Sequence, residues 1–202
     1  MDYDYFFHPY DFKPSKNYCE KLFKIIEVIP AKPCHNKEIC NFGAKVFRGA
    51  TTMIAVSYWL IKVLCPKKII YLGCDMNYKP NSNGNTHFYG KGSPDPLRKH
   101  ISLKNLDAKL KRLWYFAQLN KVELYCYPNK SFSRLPYPQL NRDSYNYKFN
   151  FLEINKAKQI EKSILNEVCD NNFKRIENTK ELVKKLELID IHWQNSIKAN
   201  EY

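Results

Sequence analysis

One stretch, Ile69 to Gly90, constrains the chain more than any other: I-I-Y-L-G-C-D-M-N-Y-K-P-N-S-N-G-N-T-H-F-Y-G. It opens with Ile69-Ile70-Tyr71-Leu72, a short apolar run without alternation, the pattern of a strand buried on both faces. Gly73 lets the backbone turn, and Asp75 stands at the expected carboxyl end of that strand. A polar run rich in Gly, Asn and Pro then leads to Thr86-His87-Phe88-Tyr89-Gly90. In open α/β sheets, ligands bind outside the carboxyl ends of the strands. A strand that ends in an acid and runs into a loop carrying Thr, His and aromatics has the layout of an active site.

The rest of the chain reads as the support for this loop. Residues 1–12, dense in Tyr and Phe, predict a strand ending at Pro9. Ser15 is a cap for a predicted helix whose apolar positions are Tyr18, Cys19, Leu22, Phe23, Ile26 and Ile29, closed by Pro30 and Pro33. Residues 34–45 read as a loop, and Val46-Phe47 as a brief strand. Arg48-Gly49-Ala50-Thr51-Thr52 then opens a helix running to about Leu64. Small and hydroxyl residues at a helix start leave N–H groups and the positive dipole end facing an anion, and Arg48 adds charge. Ordinary N-capping by Thr51 or Thr52 explains the same residues. Brief strand, helix and the strand at Ile69 have the spacing of a parallel βαβ unit.

Beyond the loop, Ser93 to His100 is turn-rich and basic. An amphipathic helix is predicted from Ser102 to about Asn120. Its stripe is Leu103, Leu106, Leu110, Leu113 and Ala117, with Lys104, Lys109, Lys111 and Arg112 outside it. Val122 to Tyr127 is a strand whose end is capped by Pro128-Asn129-Lys130-Ser131. Leu135-Pro136-Tyr137-Pro138 leads into an irregular stretch reaching Asn150. From Leu152 the composition changes: Pro and Gly vanish, and Lys and Glu interleave with Ile, Leu and Val. Ile160, Ile164 and Val168 fit one helix; Leu182, Val183, Leu186 and Ile189 fit a second, with a break at Asp170-Asn171-Asn172. The expected organisation is an α/β domain over 1–150 and a helical appendage over 151–202, packed on the core or on a partner subunit. No internal repeat, P-loop or G-x-G-x-x-G occurs.

The net charge of +13 is unevenly spread. Residues 151–202 hold nine Lys/Arg and nine Asp/Glu, whereas residues 1–150 hold 24 and 11. From Asn85 to Arg112 there are seven basic residues against two acids. Such a field attracts anions: nucleotide phosphates, acidic glycans, nucleic acid or an anionic membrane surface. Solvated lysines account for part of the excess. The seven cysteines form no C-x-x-C. Cys34-His35 with Cys40 is loosely metal-like but lacks a second tight pair, so scattered reduced thiols and no metal are expected. No stretch approaches the ~20 apolar residues of a membrane span, and Met53 to Leu64, the longest, contains Lys62. The start Met-Asp-Tyr-Asp lacks a signal peptide's basic and apolar regions. A soluble, cytoplasmic protein is expected.

Gly49-Ala50-Thr51-Thr52, then Lys68-Ile69-Ile70-Tyr71-Leu72-Gly73-Cys74-Asp75, then Asn85-Thr86-His87-Phe88-Tyr89-Gly90, and later Leu124-Tyr125-Cys126-Tyr127-Pro128-Asn129-Lys130-Ser131, resemble the bacterial lipooligosaccharide sialyltransferases. They equally resemble a related group of proteins likened to the archaeal hydroxymethylpterin pyrophosphokinase. The resemblance covers roughly residues 46–138. It implies a Rossmann-like, mostly parallel sheet binding a cytidine-monophosphate sugar as co-substrate, with no metal or other cofactor. It assigns His87 as general base on an acceptor hydroxyl, Thr51 and Thr52 as donor contacts, and Asn129 and Ser131 to the nucleotide's neighbourhood. Tyrosines that steady the leaving phosphate follow the strand-end Asp in that family; here Tyr78 is close, displaced by one position. Family members also begin with a strand and a Gly-x-Gly-Pro-Ser-like turn, which this sequence lacks. The chain is therefore expected to start after that unit.

The chemistry fits these residue types. A histidine titrates near neutrality and can take and return a hydroxyl proton. Departing phosphate needs donors or cations, for which Tyr78, Tyr89, Arg98 and the helix start at Thr51 are candidates. Asp75 can hold a ribose, an acceptor or a basic group, or cap its own turn; His87 can also be a loop histidine bonded to backbone. His8, His35, His100 and His192 read as structural or exposed. Three functions stay open. The first is sugar transfer from a nucleotide donor to a glycan or small-molecule acceptor. The second is pyrophosphokinase-like phosphoryl transfer, which needs ATP, Mg²⁺ and several carboxylates, where only Asp75 and Asp95 lie near the loop. The third is a non-catalytic basic module binding nucleotide or nucleic acid through the aromatic-rich region 78–148. Peripheral contact with an anionic membrane and homo-oligomerisation are compatible with all three.

Overall fold

Helices and small sheets make up the molecule. The computed structural model describes residues 5–9, 24–30, 45–48, 51–74, 83–84, 103–127, 133, 135–140, 147–168 and 180–199. Three strands come first: β1 (Tyr5–Pro9), β2 (Lys24–Pro30) and β3 (Lys45–Arg48). They form one parallel ladder in the order β1-β2-β3, with Phe7 opposite Ile26 and Val28 opposite Val46. The end of β1 at Pro9 and the strand at Val46-Phe47 agree with the sequence pattern. The helix expected up to Ile29 does not, because Lys24–Pro30 is the central strand. Ile25, Ile26, Val28 and Ile29 are β-branched, and a nearly continuous branched run suits a strand with parallel neighbours on both sides.

Helix α1 (Thr52–Trp59) continues as a π-helical turn over Leu60–Leu64. Thr51 is its N-cap: the residue is extended and its Oγ1 accepts the Ile54 N–H at 3.2 Å. The final turn closes with the Cys65 N–H on the Leu60 carbonyl, and Cys65 takes a left-handed conformation that stops the helix. Ile54, Ala55, Ser57, Trp59 and Ile61 are buried, so α1 is covered on several sides, as its nearly continuous apolar sequence requires. It packs against β3 and against the next long helix.

That helix, α2 (Leu103–Leu119), lies between strand β4 (Lys68–Leu72) and strand β5 (Glu123–Tyr127), which pair in parallel. The expected βαβ unit was β3–α1–β4. Among the described residues β3 and β4 share no ladder, and the parallel pair is β4 with β5 across α2. A third segment extends this sheet: the Cys126 N–H bonds the Pro138 carbonyl at 2.9 Å and the Leu140 N–H bonds the Cys126 carbonyl at 3.2 Å. Part of the stretch read as irregular is therefore a sheet edge. Leu106, Leu110, Leu113 and Ala117 of the expected stripe are buried with Ile69, Tyr71, Leu124, Cys126 and Tyr137 in one core. Trp114 meets Tyr137 edge-on at 5.6 Å and Tyr147 at 4.5 Å.

The C-terminal part is the expected pair of helices, α3 (Phe151–Val168) and α4 (Lys180–Gln194). They pack on each other and, through α4, on α2, closing a second core of Ala108, Ile154, Ala157, Ile164, Leu182, Ile189 and Trp193. Val183, expected on the apolar face, is exposed. A short antiparallel ladder of β6 (Tyr147–Phe149) and β7 (Ile197–Ala199) spans residue 150, and Ile197 is buried in the first core. Among the described residues no helix is long and apolar enough to cross a membrane.

The basic residues expected outside the α2 stripe form a second packed face. The Arg112 Nε is 3.0 Å from Glu161 Oε1, and its second nitrogen donates to Oε2 at 3.1 Å. The Trp193 indole N–H donates to the same carboxylate at 2.8 Å, and Tyr58 hydrogen-bonds Arg112. Arg112 thus joins α1, α2, α3 and α4. Burial pulls its guanidinium down, but Glu161 and Tyr58 outweigh that and raise it above the ordinary arginine value. Lys109 faces Asp190 at 4.0 Å, and Lys111 donates to the Gln194 carbonyl at 2.6 Å. His192, expected without a converging partner, holds Glu153 at 2.7 Å.

Candidate functional site

Parallel pairing decides where loops leave a sheet. Leu72 and Tyr127 are register partners and the last residues of β4 and β5, so both strands end at the same edge. Leu72 is 67% exposed and Tyr127 41%. In open α/β sheets ligands bind outside the carboxyl ends of the strands, and this edge is the corresponding place in the β4–β5 ladder. Gly73 follows Leu72 with φ of +65° and open space around the position a Cβ would take. The glycine is needed there for its left-handed backbone, not for close approach.

Helix α1 runs towards the same edge with its N-terminus. Only Cys65, Pro66 and Lys67 separate its π turn from β4, so helix and strand run in opposite senses. The Tyr71 hydroxyl donates to Ser57 Oγ at 2.8 Å, which fixes the helix against the strand near the strand's end. Thr51 lies six residues earlier, about 9 Å along the axis at ~1.5 Å per residue. The first turn of α1 therefore points its dipole towards the edge where β4 ends. Of the two roles open to Thr51, N-capping is realised. A hydroxyl that accepts one bond can still donate another.

Beneath this edge lies a floor of buried tyrosines. Tyr71 stacks on Tyr137 at 5.2 Å, and the Tyr137 hydroxyl donates to the Leu110 carbonyl at 3.2 Å. The Ser57 hydroxyl passes its own proton to the Met53 carbonyl at 2.8 Å. Burial raises Tyr71 well above the ordinary tyrosine value, against the pull of Ser57, and raises Tyr137 likewise. Both stay neutral and serve as donors, not as acids or bases. The sequence reading missed Ser57 and Tyr71 as a pair. The signal available was a hydroxyl inside an apolar helix together with a tyrosine inside an apolar strand, each needing a partner once buried.

Arg48 is the last residue of β3, in register with Pro30, and Thr52 is the first residue of α1. Asp75, Tyr78, Thr86, His87, Tyr89, Arg98, Asn129 and Ser131 lie outside the described residues, as do Cys34, His35 and Cys40. Among the described residues no group of three His, Cys, Asp or Glu stands close enough to hold a metal ion. Cys65, Cys74 and Cys126 form no disulfide. Compared with protein-family models, characterised proteins and solved structures, the chain matches none. The sialyltransferase resemblance therefore rests on the residues quoted for it above.

Proposed function

We propose that this chain binds a nucleotide donor across the carboxyl edge of β4 and β5, within a Rossmann-like sheet, and transfers the donor's sugar to a hydroxyl acceptor. The observation that supports this most is the parallel register of Leu72 with Tyr127. In sequence, Asp75 to Gly90 follow the first of these ends, and Asn129 and Ser131 follow the second. The dipole of α1 adds a positive partial charge towards the same edge, worth up to about 1 kcal/mol to an anion at an exposed site. In this reading His87 takes the proton of the acceptor hydroxyl as the sugar–phosphate bond breaks. Tyr78, Tyr89 and Arg98 donate to the departing phosphate; Arg48, Thr51 and Thr52 hold it before it leaves. Asp75 and Thr86 orient sugar or acceptor, and Asn129 and Ser131 contact the nucleotide. The donor is a co-substrate, and the chain's own residues supply the acid–base work. A cytoplasmic setting suits cysteines that form no disulfide.

Calorimetric titration with cytidine and adenine nucleotides, with and without Mg²⁺, tests the reading. Binding of cytidine monophosphate that does not depend on Mg²⁺ is expected. Replacing His87 by Ala is expected to lower transfer by roughly 10²–10⁴-fold while leaving nucleotide binding intact. Full transfer in that variant removes the proposed base. Preference for ATP with Mg²⁺ moves the reading to phosphoryl transfer.

A further inference from the structure

The opposite, amino-terminal end of the β4–β5 ladder carries a feature that nucleotide transfer does not use. Both α1 and α2 end there, and each is stopped by a non-glycine residue in the left-handed region: Cys65 at φ 46° and Lys121 at φ 58°. Two like turns feed two neighbouring strands. The Glu123 N–H bonds the Lys67 carbonyl at 3.0 Å, and Lys68 is in register with Glu123. The Lys62 ammonium sits 5.2 Å from the Phe116 ring centre, so the helix ends also meet.

These turns present aliphatic side chains to solvent. Leu119 is 61% exposed, Leu64 42% and Val63 37%. Around them lie Lys67, Lys68 and Lys121, all exposed, and the acid there among the described residues is Glu123. Its carboxylate accepts the Tyr125 hydroxyl at 3.1 Å. We propose that this end of the sheet is a docking surface for an anionic lipid bilayer, with Val63, Leu64 and Leu119 entering the headgroup boundary and Lys67, Lys68 and Lys121 meeting lipid phosphates and carboxylates. Aliphatic tips ringed by cations suit a surface that is apolar below and negative at its face. A single-stranded nucleic acid calls instead for open aromatic platforms at the tip; among the described residues the aromatic ring here, Tyr125, lies under the Lys68 ammonium at 5.8 Å, and the exposed apolar side chains at the turns are aliphatic. The carboxyl edge of β4 and β5 then faces away from the bilayer.

Co-sedimentation of the full chain with two kinds of vesicle tests the surface. One is phosphatidylcholine alone; the other has one part in three replaced by phosphatidylserine. The expected result is binding to the anionic vesicles only, weakened by added salt. Lys67→Gln, Lys68→Gln and Lys121→Asn together are expected to weaken it on the order of 100-fold, at about one fivefold step per lysine. Asn suits the left-handed position of residue 121. Leu64→Ser with Leu119→Ser is expected to weaken it at least about tenfold. The comparison of vesicles and of salt needs no variant, so a misfolded variant cannot shield the proposal. Equal binding to both vesicles, no binding to either, or unchanged binding in a folded leucine pair overturns it. So does tighter binding to oligonucleotides than to anionic vesicles, or a dimer in light scattering that the leucine pair abolishes.

Discussion

Helix α2 looks two ways, and the two cores it joins are closed by different chemistry. Towards α1 and the β4–β5 ladder it presents Leu106, Leu110, Leu113 and Ala117, and the polar groups buried there are neutral hydroxyls on Tyr71, Tyr137 and Ser57. Towards α3 and α4 it presents Lys109, Lys111 and Arg112, each engaged by a group of the C-terminal helices. Neutral hydroxyls leave little behind when removed, whereas a buried charge that loses its partner is left uncompensated. The second interface is thus the more brittle one, although it surrounds fewer large aromatic rings. It also draws cations of α2 away from the anion field suggested by the sequence.

The sharpest way to break this contrast is Glu161→Leu. It takes the counter-charge from the Arg112 guanidinium, leaving it the Tyr58 hydroxyl, and removes the acceptor of the Trp193 indole, and is expected to destabilise by about 3–5 kcal/mol in urea unfolding. Adding Arg112→Met to it should recover most of that loss. A single variant that loses less than about 1 kcal/mol would show a pair acting like exposed ones. Next in size is Tyr71→Phe in the first core. Ser57 keeps its bond to the Met53 carbonyl, so about 1 kcal/mol is expected, with an unchanged slope against denaturant. A loss as large as that of Glu161→Leu erases the distinction between the two faces.

The smallest effect is confined to acid. Hydrogen bonds from Lys156 and His192 hold the Glu153 carboxyl below its ordinary value of 4.5. A carboxyl held low in the folded chain favours folding above its unfolded value and loses that advantage as pH falls through the folded value. The stability difference between the wild-type protein and Glu153→Gln is therefore expected to shrink as pH falls below about 4.5 and to vanish in stronger acid. A difference that grows as pH falls contradicts the assignment. No change of this kind is expected for the first core, where Tyr71 and Tyr137 stay neutral through the acid range.

Both faces of α2 were partly legible in residues alone. The α2 stripe, β5 and both C-terminal helices are legible in apolar spacing; β4 is a strand where one is expected, but it is not buried on both faces, since only Ile69 and Tyr71 are covered while Ile70 and Leu72 are exposed. The central strand β2 was read as helix, since Ile26 and Ile29 fit either period and only the flanking strands decide between them. The pairing of β4 with β5, not with β3, is set by contacts far apart in the chain. Arg112 reads only as lying outside the stripe and His192 only as structural or exposed, because their partners, Glu161 and Glu153, come from another helix; charge counts carry no such address. At the candidate site, Thr51 was legible as a cap. The Tyr71–Ser57 bond was not, since residue 57 faces residue 71 only once α1 lies against β4.

Amide hydrogen exchange with and without cytidine monophosphate tests whether a nucleotide binds at the carboxyl edge of β4 and β5. Slower exchange is expected at the ends of β4 and β5 and in the first turn of α1, with α3 and α4 unchanged. Protection confined to α3 and α4, or none at saturating nucleotide, contradicts it.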